Sequence, residues 1–244
     1  MDRIMDRIQL KDQARRYIRE SKPSSVVAGI IFVAVLIVFS ILSAKLVGIE
    51  IDRSVIEQFI YSGDIEMLQE YFLSQAPTPV EMLLSALLAI LEIVLSAGFT
   101  IFILNIVSAV QASYWNLLDG FGMILRVLLL YILEKIFIFL WALLLIVPGI
   151  IAAYKYRLAI YLLIEHPEMS VMDCIRESKR LMRGYKGELF VLDLSFIGWA
   201  ILSGIPYVGY IARAWLAPFY RTSEALFYKQ RMSIEAARGF SPEL

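Results

Sequence analysis

The stretch LLLIVPGIIAAYKYRLAIYLLIE, residues 143–165, decides how the chain is read. It looks like lipid-soluble helix interrupted twice, first by Pro148-Gly149 and then by the charges of Lys155 and Arg157. Either one bent helix crosses a bilayer here, or two helices meet at a turn. Proline lacks the N–H of a helical bond and clashes with the preceding turn, whereas glycine tolerates a reversal. The rest of the chain chooses between the two.

The 244 residues are 59% hydrophobic and only 19% charged, with a mean hydropathy of +0.70. A soluble domain carries about 25% charged residues, so this composition points to a membrane. The net charge is zero, and says nothing about partners because the charges are unevenly placed. One cysteine, Cys174, and one histidine, His166, exclude a disulfide framework and any metal site built on several such ligands. No Pro-, Gly- or Ser-rich linker divides the sequence, so residues 1–244 read as a single membrane domain. The apolar run 26–42 is longer than the core of a signal peptide and reads as a retained first helix.

About 20 apolar residues cross a hydrocarbon core of about 30 Å. The expected spans are 25–47, 80–107, 123–147, 150–164, 189–205 and 208–227. The fourth is short, about 22 Å at 1.5 Å per residue. Lys and Arg stay cytoplasmic in short loops. The basic segments are 1–23, 168–187 (Arg176, Lys179, Arg180, Arg183, Lys186) and the C-terminal tail. Residues 49–79 hold Arg53 alone against Glu50, Asp52, Glu57, Asp64, Glu66 and Glu70. All basic segments fall on one side, and the acidic one on the other, only if Pro148-Gly149 is an outer turn between two spans. The expected fold is therefore all-α, a polytopic helix bundle of about six spans in a cell membrane with both termini cytoplasmic.

Trp141, Pro148, Lys155, Leu158 and Ala159 recur as Trp199, Pro206, Arg213, Leu216 and Ala217, each 58 residues later. This suggests two similar Pro-turn hairpins, spans 3–4 and 5–6, with Pro148, Gly149 and Pro206 as structural turns. Lys155 and Arg213 lie about 10 Å of helix from those turns and can snorkel to the headgroups. Arg157, two residues deeper, is less easily explained that way.

At the surface, Ser170-x-x-Asp173 resembles a capping box, and Val171, Ile175, Ser178 and Met182 follow at helical spacing. The helix expected there is amphipathic, and Arg176, Arg180 and Arg183 on its polar face form a candidate anionic-lipid surface. The N-terminal segment 1–23 is expected to be a basic helix with Leu10, Ala14, Tyr17 and Ile18 on one side. Residues 54–74 read as a short external helical pair or a small lid.

No nucleophile elbow, phosphate-binding Gly-rich loop or dinucleotide turn is present, and no basic-aromatic platform supports nucleic-acid binding. What remains is an intramembrane polar set: Glu92, Asn105, Arg126, Glu134, Lys135, Arg157, Asp193 and Arg221. Ionisable groups in lipid are costly and mark function by default. Glu92, Glu134, Lys135 and Arg157 form the candidate site, as a relay, a substrate contact or a structural pair.

From Trp141 onward the sequence resembles a bacterial family of membrane proteins known only as domain of unknown function 975. The resemblance rests on Ile146-Val147-Pro148-Gly149-Ile150 with Tyr154 and Tyr156, then Ser178-Lys179, Met182, Gly184 and Lys186. It continues through Phe190, Leu194-Ser195-Phe196, Gly198-Trp199, Pro218-Phe219-Tyr220 and Phe227-Tyr228, and covers about residues 80–230. Phe219 stands where the family is expected to have Tyr. The resemblance implies a membrane fold and no established activity. The functional expectation is a non-enzymatic binding or scaffold protein, its partners being membrane lipids, a peptide or small ligand, or another membrane protein, with no cofactor. A transporter or channel component using mid-membrane carboxylates is the alternative, and a lipid-active membrane enzyme the third reading.

Overall fold

The computed structural model describes residues 7–47, 53–205 and 208–237. Every regular element among them is helical. In chain order they are α1 (Arg7–Glu20), α2 (Ser25–Val47), α3 (Arg53–Ser62), α4 (Ile65–Ser74), α5 (Pro79–Val107), a 3-10 helix (Tyr114–Met123), α6 (Ile124–Leu144), α7 (Ile146–Tyr156), α8 (Ala159–Glu165), α9 (Val171–Leu181), α10 (Lys186–Leu194), α11 (Ile197–Leu202) and α12 (Val208–Ala237). Pro206, expected at a second turn, lies outside the described residues.

Four stretches are long and apolar enough to cross a membrane: Ser25–Leu46, Pro79–Val107, Tyr114–Leu144 and Ile146–Glu165. The segments 189–205 and 208–227 are not among them. The first is cut at Ser195-Phe196 into α10 and α11. The second lies within the 30-residue α12, where Arg213, Arg221 and Glu224 interrupt the apolar run.

The chain forms two compact units, Val35–Glu92 on the one hand and Met1–Ala34 with Ile93–Leu244 on the other. In the smaller unit, α3 and α4 pack on each other but bury no residue fully. Asp64 caps α4 by accepting the Met67 N–H at 3.1 Å. At the start of α5, Glu81 accepts the Thr78 N–H at 2.7 Å and its hydroxyl at 2.9 Å, and Thr78 Oγ1 accepts the Glu81 N–H at 3.3 Å. With Pro79 as the first helical residue, this is a complete reciprocal cap.

The larger unit answers the question posed by residues 143–165. The helix breaks at Leu145, whose φ of −163° and ψ of 150° are extended. Pro148 is the third residue of α7, in the first turn, where its missing N–H costs no helical bond. The turn therefore sits three residues before the Pro148-Gly149 pair expected to form it. From Leu145, α7 runs back along α6. A Cβ on Gly149 would come within 2.7 Å of Ala142 Cβ, Lys155 Nζ lies 4.6 Å from the Trp141 ring centroid, and Phe137 and Tyr156 rings lie 5.9 Å apart. Lys155 thus has a partner on the neighbouring helix, a cation–π contact beyond simple snorkelling.

α1 packs against α12 and α10 with Leu10 and Ala14 buried. Lys11 Nζ donates to Ser195 O and Oγ, each at 3.2 Å, at the end of α10, and sits 4.4 Å from the Phe196 ring. A cation on the last carbonyls of α10 suits the helix dipole. It also holds the break that separates α10 from α11.

Candidate functional site

Between α7 and α8 the regular ladder stops for two residues, Arg157 and Leu158. Ser178 of α9, fully buried, takes up the interruption. Its Oγ accepts the Leu158 N–H at 3.1 Å and its hydroxyl donates to Lys155 O at 2.9 Å. A side chain inserted into the ladder is a recognised cause of a local helix irregularity. Here it turns Arg157 toward α12.

Glu224 of α12 is 1% exposed. Arg157 Nε donates to Glu224 Oε1. Tyr161 OH and Arg221 NH1 donate to Oε2 at 3.0 and 3.2 Å. Arg157 NH2 donates to the Tyr220 hydroxyl, which passes its own hydrogen to Asp193 Oδ1 at 2.8 Å, while Tyr154 OH donates to Asp193 Oδ2 at 2.8 Å. Arg221 NH2 reaches Ser96 Oγ at 3.2 Å. Two carboxylates, two guanidiniums, three phenols and the Ser96 hydroxyl, carried by α5, α7, α8, α10 and α12 with Arg157 between α7 and α8, thus form one hydrogen-bonded cluster. Charges buried in a low-dielectric interior persist only when so paired.

Of the candidate residues, Arg157 is at the centre of this cluster. Glu134 is half-buried on α6 and enters no ion pair among the described residues, though it lies in electrostatic reach of Lys135, Arg157 and Glu224. Lys135 is exposed, 5.0 Å from the Tyr131 ring. Glu92 is exposed in the smaller unit and enters no ion pair among the described residues. Asp193 and Arg221, part of the wider polar set, both join the cluster. Glu224 and Tyr161 were not singled out from sequence, and Tyr154 and Tyr220 only as residues that carry the family resemblance. The available signal was Arg221-x-x-Glu224, an i,i+3 ion pair inside a stretch read as apolar.

The surface expected to take anionic lipid is largely paired within the protein. Arg176 bonds Asp173 at 2.9 Å. Arg180 bonds Glu177 and reaches Glu235 of α12 at 3.1 Å. Arg183 remains exposed. The Ser170 hydroxyl, followed by Arg176, holds the Asp173 carboxyl below its ordinary value. Burial pushes the Cys174 thiol up to about 11, consistent with an inert packing residue. Among the described residues no group of three or more His, Cys, Asp or Glu is placed to hold a metal ion.

A second polar feature lies at the other end of α1. A groove of about 740 Å³ is lined by Gln13, Arg16, Tyr17, Glu20, Ser21 and Lys22, and by residues 106 and 109–112 after α5.

The region that carries the cluster has a known counterpart. Residues 142–235 match the model of the family described as protein of unknown function (DUF975). The DUF975 region begins later than the resemblance at about residue 80 implies. It contains every member of the Glu224 cluster except Ser96. Neither the curated proteins nor the solved structures hold a match to this chain.

Proposed function

We propose that the chain is a multi-pass cell-membrane protein that works by binding lipid or another membrane protein, and not by catalysis. The single observation behind this reading is the closure of the Glu224 cluster. Both oxygens of a 1%-exposed carboxylate are occupied by partners from other positions. A group so saturated ties helices together and offers no free valence to a substrate. The four apolar helices supply the membrane-embedded surface. With four crossings, or with six if 189–205 and 208–227 also cross, the N and C termini share one side. The basic residues of α1 and α9 favour the cytoplasm.

Glu134 is the observation that favours a transport component, since it carries a mid-helix carboxylate without an ion pair among the described residues. One experiment separates the two. Protein purified in mild detergent and washed with excess detergent is expected to retain phospholipid detectable by native mass spectrometry, with no Glu134-dependent solute or ion flux in proteoliposomes. Flux abolished by Glu134→Gln, without retained lipid, would replace binding by transport.

A further inference from the structure

Two candidate spans end at the groove beside α1. α2 begins at Ser25 and α5 ends at Val107. They run antiparallel, with Phe32 stacked on Phe99 at a centroid distance of 4.5 Å. Just before α2, the Ser24 N–H bonds the Tyr114 hydroxyl at 3.1 Å. The start of one apolar helix and the end of the other thus lie at one level, which in a bilayer is the level of the headgroups. Tyr17 in the groove and Tyr114 beside it are the side chains expected at that depth.

The groove at this level is polar and carries two cations without partners. Arg16 and Lys22 are exposed, and neither makes an ion pair or hydrogen bond among the described residues. The carboxylate of Glu20, which also lines it, is already drawn to Arg19 at 3.9 Å. Gln13 and Gln111 line the same space. By contrast, Arg176 and Arg180 of α9 are both engaged by carboxylates. On the larger unit, then, the groove is where free positive charge and concave shape coincide at headgroup depth.

We infer that this groove binds the phosphate-bearing headgroup of an anionic phospholipid, with Arg16 and Lys22 as its charge partners. The inference rests on the binding reading above and names its site and ligand class. A phosphate accepts several charge-assisted hydrogen bonds and matches two cations in a groove that two glutamines also line. Basic residues near an anionic surface strengthen lipid attachment, and two together correspond to a change of about tenfold or more in retention.

The test uses the full chain in vesicles of zwitterionic phospholipid doped with phosphatidylglycerol. After extraction in mild detergent, bound lipid is counted by native mass spectrometry. The wild type is expected to be enriched in phosphatidylglycerol, and the variant Arg16→Gln/Lys22→Gln to lose that enrichment by about tenfold with an unchanged melting temperature. Lys179→Gln/Arg183→Gln, which removes two exposed cations elsewhere, should retain it. Equal enrichment in wild type and the groove variant overturns this site and leaves the binding reading standing. Equal loss in both variants also overturns it, because general basic attraction then explains the lipid. No enrichment in the wild type overturns both. Inorganic phosphate that binds detergent-solubilised protein at constant ionic strength, without lipid enrichment, reassigns the groove to a free anion and overturns the lipid source.

Discussion

Glu224→Ala is expected to cost about 3 kcal/mol of stability, because it removes the buried anion that two half-buried guanidiniums share. Arg157 and Arg221 both bond this carboxylate, and Tyr161 loses its acceptor at the same time. Thermal unfolding in detergent, followed by tryptophan fluorescence, should show a large drop in the midpoint or no folded protein. Glu224→Gln preserves shape and one acceptor but no charge, and should fall between wild type and alanine. Replacing Glu134, which enters no ion pair among the described residues, should cost far less by the same assay. If Glu224→Ala and Glu134→Ala melt alike, the cluster does not hold the helices together.

The second large effect belongs to the seam between α5 and the 3-10 helix. A Cβ on Gly98 would lie 2.0 Å from Leu117 O, and one on Gly120 would lie 2.2 Å from Val94 O. The obstacle in both cases is main chain, which cannot rotate away as a side chain does. Gly98→Ala and Gly120→Ala should each cost about 3 kcal/mol through overpacking. Because both substitutions open the same seam, the double variant should cost clearly less than the sum. Strict additivity in denaturant titrations would show that the two glycines do not share a contact surface.

These residues also mark what the sequence could and could not disclose. The apolar helices were legible because about 20 consecutive apolar residues have few other uses. The start of α9 was legible because Ser170 is a hydrogen-bonding cap, its Oγ accepting the Asp173 N–H at 3.2 Å. The turn near Pro148 was legible to within a few residues only. Proline marks the first turn of a helix as readily as it marks the loop before it.

The cluster was half legible. Arg157, Asp193 and Arg221 stand out as charges among apolar residues, but Glu224, the partner the two arginines share, is 67 residues beyond Arg157, and pairing at that distance is fixed by packing alone. The pairing of two α9 cations was legible for a different reason. Asp173 to Arg176 and Glu177 to Arg180 are both i,i+3 pairs, a spacing that already announces internal neutralisation. The groove beside α1 could not be foreseen, since its two walls come from segments about 90 residues apart that meet only because α2 and α5 run antiparallel.

The most direct test of the membrane-spanning reading is the side on which the break at Leu145 emerges. Leu145 is 69% exposed, so a thiol there is reachable, whereas Gly149 is packed against Ala142 and is a poor site for a probe. In a Cys174→Ala background, single cysteines are placed at positions 145 and 183 and treated with a membrane-impermeant maleimide. The expected result is labelling at 145 on intact cells and at 183 only after permeabilisation. Labelling of both positions from the same side would contradict a crossing by residues 146–165, and with it the fold on which the proposed function rests.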